Sequence, residues 1–210
     1  MKNRCVIISA YNATSVKNSV DLSDNDFIIC ADGGYLLAAE ENITPDLVIG
    51  DLDSVKKQCC RIECPVIRLP VQKDDTDTLA CIKYAIDNGF KDIVIAGGIG
   101  GRFDHSFACV QSLYYAQTHG ADIILQDGEN TLFFIIDSSK SIPARKNKKL
   151  SVFSYTEHCC GVTLKGVQYP LNNAELSQSF PIGVSNEFIS DTAEISVKHG
   201  ALLIVLSDNL

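Results

Sequence analysis

Short runs of Val, Ile, Leu and Cys alternate with helix-periodic stretches through the first 126 residues. Residues 5–9, 27–31, 47–49, 66–69, 92–96 and 121–125 are nearly continuous in apolar side chains, the pattern of strands covered on both faces. Between them, residues 76–88 place Leu79, Ile82, Ala85 and Ile86 at helical spacing, with Asp75 or Thr76 as N-cap and Gly89 just past the end. Residues 106–119 repeat Phe107, Val110, Leu113 and Tyr114 and stop at Gly120, and a shorter helix is expected over 35–41. Strands alternating with helices predict an α/β domain with a mostly parallel sheet.

From about residue 127 the texture changes. Residues 131–136, 150–155, 162–164, 193–197 and 201–206 are strand-like, separated by polar or Gly/Pro-containing turns, with no helical period. The expected organisation is therefore an α/β N-terminal domain, 1–126, followed by an all-β sandwich, 127–210.

Composition narrows this picture. Of 210 residues, 46% are hydrophobic and 21% charged, enough to bury a core and unlike a disordered chain. No apolar run reaches the roughly 18 residues that span a bilayer. Residues 5–10 are too short an apolar stretch for a secretory signal, so a cytoplasmic protein away from membranes is expected. The net charge of −8 argues against nucleic acid as a partner. The acidic excess is concentrated in residues 1–126, which hold 17 acids against 11 bases, while 127–210 hold 9 against 7. Nine cysteines in a reducing compartment read mostly as buried thiols. Cys59-Cys60-x3-Cys64 and Cys159-Cys160 lack the paired C-x-x-C spacing of a structural zinc site.

Four aspartate-bearing segments each follow or border a predicted strand: Ala31-Asp32-Gly33-Gly34, Gly50-Asp51-Leu52-Asp53-Ser54, Lys73-Asp74-Asp75-Thr76-Asp77 and Gly100-Gly101-Arg102-Phe103-Asp104-His105. Any one of them reads as an ordinary turn or cap. Together they fall at the carboxyl ends of parallel strands, which converge on one crevice. Carboxylates gathered there repel, by about 4 kcal/mol for a pair 4 Å apart at an effective dielectric near 20. A hard divalent cation with all-oxygen ligands, Mg²⁺, offsets that repulsion and completes its shell with water and phosphate. Gly97-Gly98-Ile99-Gly100-Gly101 before a helix offers backbone N–H groups to phosphate, and Arg102 adds a bidentate fork. The run is neither G-x-G-x-x-G nor a Walker A loop, which argues against a standard dinucleotide site or P-loop.

With these motifs in hand the sequence resembles the thiamine pyrophosphokinases. The carrying segments are ADGG at 31–34, PDLVIGDLDS at 45–54, KDDTD at 73–77, GGIGGRFDH at 97–105 and Ser185-Asn186-Glu187. The resemblance implies an α/β domain that binds ATP and Mg²⁺, a β-sandwich that helps to bind thiamine, and a homodimer with active sites at the subunit interface. It implies catalytic roles for Asp32, Asp51, Asp53 and Asp77, with Asp51, Asp53 and Asp77 holding the metal. Gly33, Gly34, Lys73, Asp74, Thr76, Arg102 and Asp104 match the ATP side, and Ser185 and Asn186 match the turn that contacts thiamine. The chain departs from the family in carrying Ser9-Ala10-Tyr11-Asn12 where members often have a glycine-rich strand end. It also has no Trp, which some members place near the thiamine; by the resemblance, Phe188 or Tyr169 is a candidate for that aromatic surface.

The implied reaction is attack of thiamine's hydroxyl on the β-phosphorus of ATP, giving thiamine diphosphate and AMP. Alternatives are a pyrophosphokinase for another alcohol, such as a 6-hydroxymethylpterin, and an inactive nucleotide or thiamine sensor. Asp51-Leu52-Asp53-Ser54-Val55 also fits the D-x-D-x-[TV] pattern of dehalogenase-like phosphatases. That motif normally ends the first strand of its domain, whereas here two strands precede it. His105 reads as a helix-entry residue, and His119, His158 and His199 as surface or packing residues.

Overall fold

The computed structural model describes residues 2–53, 61–70 and 74–209. The chain divides into two units, Met1–Glu129 and Asn130–Leu210. In the first, β1 (Arg4–Ile8), β2 (Asp26–Ala31), β3 (Leu47–Gly50), β4 (Val66–Arg68), β5 (Asp92–Ala96) and β6 (Asp122–Gln126) run in the order β4-β3-β2-β1-β5-β6. Every neighbouring pair among them is parallel. The described helices are α1 (Val16–Ser19), α2 (Gly34–Glu40), α3 (Asp77–Asp87) and α4 (Phe103–Thr118). The chain moves outward from β1 through β2 and β3 to β4, then returns to place β5 on the other side of β1. The order therefore reverses between β1 and β5, the topological switch point where open α/β sheets bind ligands.

Strand alternation builds two core layers. Val6 and Ile8 of β1 join Cys30, Val48, Val94 and Ala96 in a cluster with Val16, Tyr35 and Ala38 from α1 and α2. Cys5 and Ile7, on the opposite face of β1, are also fully buried, as are Cys81, Ile82 and Ala85 of α3 and Leu113 and Ala116 of α4.

The structure corrects three expectations. The buried face of α4 is Cys109, Ser112, Leu113 and Ala116, whereas Phe107 is 50% exposed and stacks on Phe103. The small residues at the buried positions allow a close approach that a large aromatic ring would prevent, and hydrophobicity alone does not report this. The helix also begins three residues earlier than its apolar repeat, at Phe103. β4 is not doubly covered: it is the edge strand, and all three of its residues are exposed.

A partly buried ion pair ties the start of β1 to β2. Arg4 donates through Nε and Nη2 to the two Asp26 carboxylate oxygens at 2.8 and 2.6 Å, and Ser23 N–H adds a third bond at 2.7 Å. The hydrogen bond from Arg4, opposed by burial, holds the Asp26 carboxyl below the ordinary aspartate value. A carboxyl depressed in the folded state stabilises the fold above its unfolded pKa of about 3.9. That stabilisation is lost as pH falls through the folded value. Asp26→Asn is therefore expected to lower Tm at neutral pH and to flatten its decline on the acid side. Parallel Tm–pH curves for variant and wild type would remove Asp26 from the acid response.

The seven cysteines among the described residues are free thiols: Cys5, Cys30, Cys81, Cys109 and Cys159 are buried, Cys64 is half-buried and Cys160 is exposed. Burial pushes the Cys5 thiol up to about 12, so it stays protonated and unreactive at neutral pH. Cys59 and Cys60 lie outside the described residues.

The second unit is all-β. β7 (Asn130–Ile136), β13 (Ala201–Asp208) and β9 (Lys148–Ser154) pair antiparallel in that order. β11 (Leu171–Ser177), β10 (His158–Lys165), β12 (Thr192–Ser196) and β8 (Ser139–Pro143) form a four-stranded antiparallel sheet. The unit is an antiparallel sandwich whose interior includes Leu150, Val152, Val162, Leu164, Ile195 and Ile204. β8 and β11 carry no legible alternation in the sequence. They are the two edges of the four-stranded sheet, and each buries a single side chain, Ile142 and Leu176. One buried residue per strand leaves no periodic signal.

Candidate active site

A cleft of about 280 Å³ opens at the carboxyl ends of β1, β2 and β5. Ser9, Ala10 and Tyr11 follow β1, Ala31 and Asp32 close β2, and Gly98 and Gly100 follow β5. Thr76, Asp77 and Thr78 enter from the start of α3, and His105 and Cys109 from α4. Of the expected catalytic and ATP-side residues, the cleft gathers Asp32, Thr76 and Asp77.

Asp32 is held in an unusual way. Its N–H donates to Ile49 O at 2.9 Å, and its carbonyl accepts from Tyr35 N at 3.1 Å. Its φ is +41°, a left-handed conformation that few residues other than Gly, Asn and Asp adopt. Its side chain is 8% exposed, and Oδ1 has no hydrogen-bond partner among the described residues. Gly50 makes this possible, because a Cβ there would lie 2.8 Å from Asp32 Cβ. A buried carboxylate oxygen without a donor is costly, and Asp32 is one of the residues that line the cleft.

The neighbouring turn after β3 is built alongside. Asp53 N–H donates to Asp51 Oδ1 at 3.0 Å. Leu52 has φ +65° and is buried in the core between two more accessible aspartates. Asp51 and Asp53 thus stand just beyond the strand adjacent to Asp32, but neither lines the cleft. Among the described residues, no three His, Cys, Asp or Glu side chains come together to hold a metal. Thr76 caps α3 by accepting from Leu79 N at 3.2 Å, which fixes Asp77 in the first turn. Asp74 is exposed, and Asp75 pairs with Lys83 at 2.6 Å. Lys73 lies outside the described residues.

The two glycines after Asp32 bring the start of α2 against β1. Gly33 is the N-cap of α2. At Gly34 a Cβ would sit 2.2 Å from Ile8 O, so α2 rests directly on the β1 backbone. The loop after β5 differs from the expected phosphate cradle. Gly97 N donates to Gln126 O, Gly98 N to Tyr11 O, and Gly100 N to Ser106 Oγ, at 2.7, 2.7 and 3.0 Å. Three of its N–H groups are thus engaged within the protein, and the glycines allow close packing around Tyr11. Arg102 binds Asp104 through Nε and Nη2 at 3.1 and 2.5 Å, and both side chains are largely exposed. That hydrogen bonding raises the Arg102 pKa and lowers that of Asp104. Neither side chain lines the cleft.

In the β unit, Asn186 is 5% exposed and holds its loop. Its Oδ1 accepts from Tyr169 N and Glu187 N, both at 3.0 Å, and Nδ2 donates to Tyr169 O at 2.8 Å. Ser185, with φ +59°, is exposed, and its N–H donates to Ser151 Oγ. Phe188 lines an open depression of about 610 Å³ with Arg145, Lys149, Glu187 and Ile189.

Sequence reasoning noted Ser9 and Tyr11 only as a departure from the family pattern, without a role, and passed over Thr78. The first two follow the strand at the switch point, and that position was the available signal. Thr78 follows the aspartate motif directly.

Comparison with known proteins agrees with this build. A family model described as thiamin pyrophosphokinase, catalytic domain, matches residues 20–125, and one described as thiamin pyrophosphokinase, vitamin B1 binding domain, matches 135–202. A thiamine pyrophosphokinase of Bacillus subtilis (strain 168) is 30% identical over 184 residues, which is 85% of this chain and 86% of that protein. Thiamin pyrophosphokinase 1 of Caenorhabditis elegans is 27% identical over 169 residues, 76% of this chain and 68% of that protein. The crystal structure of thiamine pyrophosphokinase from Bacillus subtilis superposes with a TM-score of 0.86 at 26% identity, covering 98% of this chain and 100% of that one. Fold and relatives define a transferase of the kinase class. The chain belongs to the thiamin pyrophosphokinase family, and its activity is that of a thiamine diphosphokinase.

Proposed function

We propose that this chain transfers the pyrophosphoryl group of ATP to the hydroxyl of thiamine at the β1–β2–β5 cleft. The observation that carries this reading is Asp32: a buried carboxylate oxygen without a donor, sharing a cleft with Asp77 at the switch point of a chain in this family. In this reading residues 1–126 form the catalytic, ATP-binding domain and residues 127–210 the thiamine-binding domain.

The residues fit a divalent cation of the Mg²⁺ type. The donors are carboxylate oxygens, and Mg²⁺ is usually held by one or two carboxylates with phosphate and water completing its shell. A preformed three-carboxylate cage is therefore not required. Asp32 and Asp77, with Asp51 and Asp53 beside them, would hold it, and it would supply charge neutralisation on the triphosphate.

The protein's own contribution is positioning and electrostatics. Asp32 and Asp77 sit on fixed backbone, one in a strand-end turn and one in a capped helix, so little reorganisation accompanies reaction. A cleft carboxylate accepts the proton from thiamine's hydroxyl as oxygen attacks the β-phosphorus, the bond to the α-phosphate oxygen breaks, and AMP leaves. Arg102, Asp104, Asp74, Lys73, Gly33 and Gly34 contribute on the ATP side, with Arg102 exchanging Asp104 for phosphate oxygens. Ser185, Asn186 and Phe188 contribute to thiamine, Asn186 by shaping the turn and Phe188 by apolar contact. The acidic character of residues 1–126 suits the cationic thiazolium ring.

The test is AMP release from ATP and Mg²⁺ with thiamine as acceptor, and 6-hydroxymethylpterin alongside. Thiamine-dependent AMP formation supports the reading, and AMP formation only with the pterin overturns it. A cytoplasmic homodimer with active sites at the subunit interface completes the proposal, and light scattering tests the dimer by mass.

A further inference from the structure

Tyr11 stands where a glycine-rich strand end is expected, and the cleft is shaped around it. Its carbonyl accepts from Gly98 N at 2.7 Å. A Cβ at Gly97 would lie 2.2 Å from Tyr11 O. A Cβ at Gly100 would lie 2.5 Å from ring atom Cε1, and one at Gly101 would lie 3.2 Å from Cε2. All three glycines have positive φ, at +81°, +104° and +62°. Side chains at these positions would collide with Tyr11, so the loop after β5 packs its bare backbone against this residue. Tyr11 is nevertheless 45% exposed as a residue and lines the same cleft as Asp32, Asp77 and His105. It is supported by the loop on one side and accessible from the cleft on the other.

We infer that Tyr11 is a nucleotide-binding residue, its ring providing the surface on which the purine of ATP stacks while the carboxylates handle the phosphate end. The inference rests on the proposed use of this cleft for ATP. A ring backed by bare main chain is already ordered before ligand arrives, so stacking on it costs little side-chain entropy. Stacking of a base on an aromatic side chain is worth ~1–3 kcal/mol by alanine substitution, or about 5- to 150-fold in affinity.

The test compares Tyr11→Ala, Tyr11→Phe and Phe103→Ala. Tyr11→Ala is expected to raise KM for ATP about 10- to 100-fold, with kcat and KM for thiamine changed far less. Tyr11→Phe keeps the ring and is expected to remain near wild type, which separates stacking from a hydroxyl contact. Inorganic tripolyphosphate, which has no base, should compete with ATP with a Ki that Tyr11→Ala leaves unchanged. A Ki that weakens in step with the KM for ATP shows that Tyr11 merely supports the loop and overturns the inference. So does an unchanged KM for ATP, a rise confined to thiamine, or a loss that follows Phe103→Ala instead. Direct calorimetric binding of ATP to each variant keeps this separate from the proposed function. If wild type binds ATP but forms no AMP with thiamine, the transfer reading fails while the Tyr11 inference still stands or falls on the binding data.

Discussion

Asp32→Asn is expected to lower kcat/KM for AMP formation with thiamine by about 10²–10³-fold or more, the size of effect seen when one preorganised electrostatic group is removed from an active site. Asn is the appropriate replacement because it tolerates the left-handed backbone at this position and nearly preserves shape. It removes a charge whose Oδ1 is buried without a donor, so the unliganded protein should melt at the wild-type temperature or above it. The rise in Tm on adding Mg²⁺ and ATP should shrink in the same variant, since a ligand stabilises in proportion to its affinity. Loss of activity together with a falling unliganded Tm would reassign Asp32 to folding. Full activity with an unchanged Tm would remove it from the mechanism.

The second large effect is on the fold itself. Gly34→Ala would place a methyl 2.2 Å from Ile8 O, 2.9 Å from Ile8 C and 3.1 Å from Ser9 C. All three atoms belong to the backbone of the central strand or its extension, which cannot rotate aside as a side chain does. Overpacking of this kind costs ~1–3 kcal/mol or more, so a Tm drop on the order of 10 °C, or insoluble protein, is expected. Gly89→Ala provides the comparison. Its φ is +85°, but nothing lies within 4 Å of an added Cβ, so only backbone strain of ~1–2 kcal/mol applies. A Gly34→Ala protein that melts above Gly89→Ala would show that α2 shifts freely over β1.

The sequence made the parallel strands legible because a strand covered on both faces is apolar throughout. It made α3 legible through its cap, and the aspartate segments through their repeated place after strands. It was silent about β8 and β11, which each bury one residue, and it located β4 but misread that exposed edge strand as covered on both faces. It misplaced the inner face of α4, where packing against the sheet favours Ser112 and Ala116 over Phe107. At the candidate site, residue types identified Asp32 and Asp77 as candidates, but not that Asp32 Oδ1 lacks a donor. That depends on the φ of one residue and the bare backbone of Gly50. Nor did the glycine-rich loop reveal its role, because a run of glycines looks the same whether it approaches a phosphate or a tyrosine.

The seating of β5 beside β1, Arg4 opposite Asp92 and Ile8 opposite Ala96, sets when the pocket comes into being during translation. The first wall emerges with β1, but the opposing wall arrives only after β2, β3, β4 and α3 have left the ribosome. Pairing across so long an intervening stretch is entropically slow. A nascent chain stopped before β5 has aspartates but no crevice between two strands, and it exposes an unpaired edge of β1 along which another chain could add. The cleft is thus a late acquisition, and the same event that creates it also closes the open edge of β1.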